Sequence, residues 1–254
     1  MILSERHKEI LAIVQKHGKA TVAGLSKYFS VTPQTIRTYL NDLGRNRLVQ
    51  RIHGGAVPYS STANIEHETR RQIAVHAKTR IAKQIASLIP EKSSLLLTIG
   101  TTTEAVANAL EDHSELMIIT NNINVANILR VHANFEVIIA SGVVRPSDGG
   151  IVGESASNSL NQFKVDYAII SVSAIDEDGS LLDFDFREVQ VLQKIMKNSH
   201  HVILAADATK LTRTAPVRIG HISQVDTFVT DCIESNKFRE IVDNSDVKVI
   251  EVDS

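Results

Sequence analysis

Cysteine is almost absent from this chain: Cys232 is the only one. One thiol forms no intramolecular disulfide, which points to a reducing compartment and away from a stapled, secreted scaffold. It also falls short of the multi-cysteine spacing of a structural zinc site, and no metal is expected. Cys232 reads instead as a small apolar residue beside a strand end. Long apolar runs are missing as well. The longest, such as Ser94 to Ile99 and Val202 to Ala206, have strand length, far short of the roughly 20 residues of a membrane-spanning helix. The opening residues, Met1-Ile2-Leu3-Ser4-Glu5-Arg6-His7-Lys8, turn charged at once and carry no apolar core of a signal peptide. A cytoplasmic protein without membrane association is the expectation. Two phosphate-binding signatures are lacking too. No Walker Lys-Ser/Thr occurs, which argues against nucleotide hydrolysis, and no Gly-x-Gly-x-x-Gly follows a strand, which argues against a dinucleotide. No cofactor is expected. Internal repeats and low-complexity tracts are also absent.

What is present suits one small and one medium domain: 254 residues, 43% hydrophobic and 22% charged. The net charge of −2 hides an uneven distribution. Nine of the 27 Lys/Arg but only three of the 29 Asp/Glu lie in residues 1–60, leaving 18 bases against 26 acids in the remainder. A basic head on an acidic body fits a head that binds a polyanion, although an uneven surface without function has the same appearance.

The first 58 residues read as a winged helix-turn-helix. Ser4 is a good N-cap, and Ile10, Leu11, Ile13 and Val14 form an apolar face that stops before Gly18. A second helix fits Val22 to Phe29, with Leu25, Tyr28 and Phe29 inward. A third starts at Thr32-Pro33 and carries Ile36, Leu40 and Leu43 at helical spacing. Only Ser30 and Val31 separate the two, the tight turn of a helix-turn-helix. Leu48 to Ile52 then reads as a strand, His53-Gly54-Gly55 as a turn and Ala56-Val57 as the return strand of a wing. Helix three presents Thr32, Gln34, Thr35, Arg37 and Thr38 on one face and its aliphatic residues on the other. That is the arrangement of a recognition helix in a DNA major groove, where Arg37 suits guanine and Gln34 adenine. Arg51 and His53 on the wing suit backbone phosphate or the minor groove. The expected partner is double-stranded operator DNA.

Residues 59–90 read as a polar linker, Tyr59 to Asn64, and a charged connecting helix from about Ile65 to Leu88. From 91 to 254, apolar strand-length runs alternate with helical stretches. Strands fit Leu95–Ile99, Met117–Thr120, Val137–Ala140, Tyr167–Val172, Val202–Ala206, Thr227–Thr230 and Val247–Glu251. Helices fit Thr103–Leu110, Ile123–Leu129, Ser155–Phe163, Phe186–Lys197 and Lys237–Val242. Strands apolar nearly throughout belong to a parallel sheet covered on both faces, so the fold class is α/β with a Rossmann-like doubly wound body. Gly100, Thr101, Thr102 and Thr103 follow a strand and open a helix, which suits an anion, although Thr is equally an ordinary cap. Thr120 and Asn121, followed by Asn122, lie at a second strand-to-helix junction on the same sheet edge, where ligands of open α/β sheets gather. Asp183, Asp185 and Glu188 can take polyol hydroxyls or merely sit well at a helix N-terminus. Lys210 can neutralise a phosphate or be an ordinary surface lysine.

The segment Phe29-Ser30-Val31-Thr32-Pro33-Gln34-Thr35-Ile36-Arg37, followed by Arg51-Ile52-His53-Gly54-Gly55-Ala56, resembles the signature of the DeoR family of bacterial repressors. The resemblance continues through Ile99-Gly100-Thr101-Thr102, Thr120-Asn121-Asn122, Gly149-Gly150-Ile151-Val152-Gly153-Glu154 and Leu181-Leu182-Asp183-Phe184-Asp185 with Glu188, and covers essentially the whole chain. It implies a sensor domain related to ribose-5-phosphate isomerase and a small phosphorylated sugar or polyol effector, glycerol 3-phosphate first among them. It also implies a repressor that loses operator affinity when the effector binds. A homo-oligomer, dimer or tetramer, is expected because one small head rarely supplies enough affinity. The chain departs from the family pattern at three places. Arg37-Thr38-Tyr39 stands where the family shows Arg-Arg-Asp, Thr98 where an Asp is common, and Leu192 where a Lys follows the Glu by four. The last two argue against the other reading, an isomerase-like enzyme with an added DNA-binding head, which needs a positioned acid–base pair.

Overall fold

The structure, a computed structural model, describes residues 4–46, 48–59, 64 and 67–252. Most of the linker expected from Tyr59 to Asn64 therefore lies outside the described residues. The chain divides into two units, Met1–Ala63 and Asn64–Ser254.

The first unit is a three-helix head with a wing. Helix α1 (Glu5–His17) starts at the Ser4 cap and ends at Gly18, whose φ of 67° is the left-handed stop that glycine tolerates best. A short strand β1 (Ala20–Thr21) precedes α2 (Val22–Phe29) and α3 (Pro33–Arg45), and β2 (Val49–Ile52) and β3 (Gly55–Pro58) form the wing. β3 pairs antiparallel with β2 on one side and with β1 on the other. The β1 strand went unread in the sequence because two residues carry no periodicity. Gly55 makes it possible: a Cβ there would lie 2.1 Å from the Ala20 carbonyl oxygen. Ile10, Val14, Leu25, Ile36, Leu40 and Leu43 are buried together. Tyr28 differs from expectation, being 72% exposed. Successive helical residues are about 100° apart, so Tyr28 stands beside Phe29 at the edge of the apolar stripe and not beneath it.

The second unit holds α4 (His67–Gln72), α5 (Val75–Leu88), β4 (Ser94–Leu97), α6 (Thr101–Ala109), β5 (Met117–Thr120), α7 (Ile123–Leu129) and β6 (Glu136–Ile139). A ribbon follows, β7 (Val143–Val144) and β8 (Ile151–Val152), then α8 (Glu154–Leu160), β9 (Val165–Ile170), β10 (Ala174–Ile175), β11 (Ser180–Asp183) and α9 (Phe186–Lys197). The chain ends with β12 (Ser199–Ala205), a 3-10 turn (Ala208–Thr212), β13 (Val217–His221), β14 (Thr227–Thr230), α10 (Asn236–Asp243) and β15 (Lys248–Glu251). The seven strands expected from apolar runs form one sheet, in the order β15-β14-β12-β9-β4-β5-β6, with every neighbouring pair parallel.

Alternation along the strands explains the two-sided core. Leu95, Leu97, Ile169, Ile203 and Val229 face a layer built by α5, α6 and α7. Leu96, Ala168, Ile170, Leu204 and Phe228 face α8, α9 and α10. The single connecting helix expected over residues 65–88 is two helices, α4 and α5, broken at Ala74 with a φ of 51°. Both belong to the second unit, and Ile81 and Ile85 of α5 are buried in its core. Short antiparallel strands β10, β11 and β13 form a separate small sheet. They too escaped the sequence reading, being two to five residues long. Cys232 is exposed two residues beyond β14, not packed as an apolar residue. Among the described residues no helix is long and apolar enough to cross a membrane.

Candidate functional site

In the head, Thr32 caps α3, its hydroxyl accepting from the Thr35 amide and meeting the Thr35 hydroxyl at 2.8 Å. Gln34, Arg37 and Thr38 are exposed, while Ile36, Leu40 and Leu43 are fully buried. The Thr38 hydroxyl donates back to the Gln34 carbonyl, which leaves Gln34 and Arg37 as the freest side chains of the face. Tyr39 is half-buried and meets His7 edge-on at 4.8 Å. The aromatic at this position thus docks α3 on α1. On the wing, His53 is exposed in the turn. Arg51 is already engaged: it donates to Asn41 of α3 and to the Gly55 carbonyl. Burial and nearby Arg37 lower its pKa, so the two guanidinia share one positive surface.

In the body, the strand order reverses between β4 and β9. From β4 the chain proceeds to β5 and β6 on one side, and from β9 to β12, β14 and β15 on the other. The loops leaving the carboxyl ends of β4 and β9 therefore part, which opens a crevice where such sheets bind ligands. A cleft of about 340 Å³, counting its part open to solvent, lies there. Its walls include Gly100 and Thr101 after β4, Ser171 and Ser173 after β9, Asp183 and Glu188, Lys210, and Arg70, Arg145 and Asp148. Gly100, at φ 153°, lets the loops approach: a Cβ on it would sit 3.2 Å from that of Ser171.

Arg70, Arg145 and Lys210 line the cleft, and Lys78 and Arg213 lie close enough to Lys210 to repel it. Lys210 is 7% exposed, and among the described residues no hydrogen bond or ion pair engages its ammonium. Burial, then the neighbouring Arg213, pushes its pKa down to about 7 in spite of Asp207. Lys78 donates to the Thr101 hydroxyl at 2.9 Å and to the Arg70 carbonyl at 2.6 Å, and burial lowers it to about 8. Arg213, bonded to Asn64 at 2.7 Å, falls to about 10 through burial and the charge of Arg70. Burial is the first cause of all three shifts, and mutual repulsion among the cations adds to it.

The opposite wall is acidic and organised by Arg145, which leads out of β7. It binds Asp148 through two nitrogens at 2.7 and 2.8 Å, Asp185 at 2.8 Å and Glu188 at 2.5 Å. Burial opposes its charge, but these bonds hold its pKa above the ordinary value. Arg70 also pairs with Asp148 and Arg187 with Asp185, while Glu188 has Arg145. Burial and the nearby Asp183 push Glu188 up to about 8 in spite of its bond to Arg145.

Of the residues singled out in the sequence, Gly100, Thr101, Asp183, Glu188 and Lys210 come together in the cleft wall. Others are used locally. The Thr103 hydroxyl closes the turn onto the Thr98 and Gly100 carbonyls, and Thr102 is buried in the same helix start. The Thr120 hydroxyl donates to the Leu97 carbonyl, and the Asn121 amide to that of Ile151 in β8. The first bond ties β5 to β4, and the second ties the ribbon that carries Arg145 to the end of β5. Asp185 caps α9, bonded first to Arg187 and held near pKa 2. Thr98 and Leu192 are buried outside the cleft wall, Leu192 among aliphatic side chains. Sequence reasoning missed Arg70, Lys78, Arg145, Asp148, Arg213, Ser171 and Ser173. The two serines were within reach, because they follow a strand as Gly100 does. The charged residues carried no local signal.

Two family models cover the chain. A DeoR-like helix-turn-helix domain matches residues 6–62, and the DeoR C terminal sensor domain matches residues 73–232. The chain is 46% identical over 228 residues to the glycerol-3-phosphate regulon repressor of Escherichia coli (strain K12), spanning 90% of each. It is 36% identical over 245 residues to the HTH-type transcriptional repressor CsqR of the same organism, spanning 96% of this chain and 94% of that one. A ribose 5-phosphate isomerase from Plasmodium falciparum aligns at a TM-score of 0.39 and 14% identity over 54% of this chain and 52% of that one, too slight a likeness to bear on function. With both domains matched and repressors this similar over nearly its whole length, the chain belongs to the DeoR family.

Proposed function

We propose that this protein is a transcriptional repressor whose operator affinity falls when a small phosphorylated polyol, glycerol 3-phosphate in the first instance, binds at the β4/β9 crevice. One observation carries the reading: the buried Lys210, its ammonium without a hydrogen bond or ion pair among the described residues, beside Lys78, Arg213 and Thr101. A phosphate dianion supplies counter-charge, Thr101 and the first turn of α6 supply donors, and Asp183, Glu188, Ser171 and Ser173 suit hydroxyls. Arg37 and Gln34 are assigned to base edges and His53 to the backbone, with Arg51 bracing the wing behind them. The repressor is proposed to act as at least a dimer on repeated half-sites. The isomerase reading is not favoured, since the relatives most similar over nearly the whole chain are named repressors.

The test is an operator titration with and without glycerol 3-phosphate at fixed salt, because salt alone moves DNA affinity strongly. The expected result is weaker operator binding and a higher melting temperature with ligand. If millimolar ligand changes neither, glycerol 3-phosphate is excluded as effector.

A further inference from the structure

Helix α4 follows the head and linker in the chain and has no apolar side chain among its six residues, His67 to Gln72. Polar contacts hold it to the rest of its unit. His67 meets Glu104 of α6 at 2.9 Å, and Arg71 donates to the other oxygen of Glu104 at 3.0 Å. Arg70 donates to Asp148 at 3.4 Å, and Lys78 takes the Arg70 carbonyl at 2.6 Å. After α4 the backbone breaks at Ala74, in the left-handed region, before α5 begins. A helix anchored in this way belongs to the low-stability end of a fold and moves when an anchor changes partner.

One anchor lies inside the cleft: Arg70 lines it together with Asp148, Thr101 and Lys210. Its bond to Asp148 is also the one most easily exchanged. Asp148 is held by two Arg145 nitrogens at 2.7 and 2.8 Å and by the Gly150 amide at 3.2 Å, all shorter than the 3.4 Å to Arg70. When Arg70 leaves, Asp148 keeps both Arg145 bonds and the Gly150 amide, so the exchange does not orphan a buried charge. An anion beside Lys210 is a stronger partner for a guanidinium than a carboxylate already shared.

We propose that Arg70 is an effector-anion ligand and that α4 is the strap reporting occupancy of the cleft: a bound anion takes Arg70 from Asp148 and re-anchors the helix that leads from the head. The proposal rests on the crevice being the effector site. It supplies the two discrete arrangements that coupling between distant sites requires, Arg70 on Asp148 and Arg70 on the ligand.

The experiment uses the full-length chain, glycerol 3-phosphate as probe, hydrogen exchange over residues 67–74 and the ratio of operator affinities without and with ligand. In the wild type, ligand slows exchange in 67–74 and the ratio reaches about tenfold, a usual size for allosteric coupling. In Arg70→Gln, ligand still binds through Lys210 and Lys78, more weakly. At saturation the segment gains no protection and the ratio falls to about twofold or less. Arg70→Lys, which keeps the charge but not the planar fork, restores part of the ratio and guards against a misfolded glutamine variant. An Arg70→Gln protein that keeps the wild-type ratio at saturating ligand overturns the strap and leaves the site standing. A wild type that binds no glycerol 3-phosphate overturns both.

Discussion

Replacing Lys210 with methionine gives the sharpest test, because the structure demands two effects of opposite sign. Methionine keeps the length and apolar stem of lysine and removes only the ammonium. That ammonium is buried, has no hydrogen bond or ion pair among the described residues, and is repelled by Arg213, Arg70 and Lys78. Its pKa drops from 10.5 to about 7, and one unit is worth about 1.4 kcal/mol. The fold therefore disfavours the charged form by up to roughly 4–5 kcal/mol, part of which the side chain escapes by shedding its proton. Between pH 7 and 10.5 the unfolded chain holds more protons at this site than the folded one, so its contribution to stability rises with pH across that window. The stabilisation gained by Lys210→Met is accordingly largest below about pH 7 and disappears above about 10.5. Effector binding moves the other way. Loss of one charge-assisted bond to a phosphate costs about 1.5–3 kcal/mol, roughly a 10- to 150-fold weaker Kd. Differential scanning calorimetry from pH 6 to 10 reads the first effect, and isothermal titration with glycerol 3-phosphate at fixed salt reads the second. A variant that melts lower than wild type at pH 6 and binds ligand unchanged would refute the assignment.

Three further outcomes follow from the geometry. Arg37→Ala costs about 1–3 kcal/mol on the specific operator and relaxes preference at one position, whereas Lys27→Ala weakens all sequences alike; binding-site selection on both variants separates them. Gly55→Ala forces a Cβ to within 2.1 Å of the Ala20 carbonyl and unseats β1 from β3. A loss of about 2–3 kcal/mol in urea unfolding of the head and a matching loss of operator binding are expected. Effector affinity, measured from pH 7 to 9, falls as Lys210 and Lys78 lose their protons and Glu188 gains a negative charge. A flat profile would mean that the anion does not sit among these groups.

Much of this protein is written in local patterns. Ser4, Gly18, Thr32 and Pro33 mark helix ends by capping chemistry that operates within a few residues, so the three helices of the head were legible. The seven strands of the large sheet were legible for a similar reason: a strand buried on both faces must be apolar throughout, and such runs stand out. The rule that ligands gather at strand ends led to Gly100, Thr101 and Lys210, all in the cleft wall. Chemical type was readable; role was not. Thr103, Thr120 and Asn121 have the groups to hold a ligand, yet both hydroxyls and the Asn121 amide nitrogen go to backbone carbonyls, and only the path of the surrounding chain decides that. Arg145 reaches Asp185 and Glu188 across 40 and 43 residues, and Arg70 reaches Asp148 across 78. No window of sequence contains such pairs. Tertiary structure alone decided which charges are compensated, because compensation depends on distance and burial, which the order of residues does not carry. Lys210 reads in the sequence as a phosphate ligand or an ordinary surface lysine; packing buried it, and among the described residues no hydrogen bond or ion pair engages its ammonium.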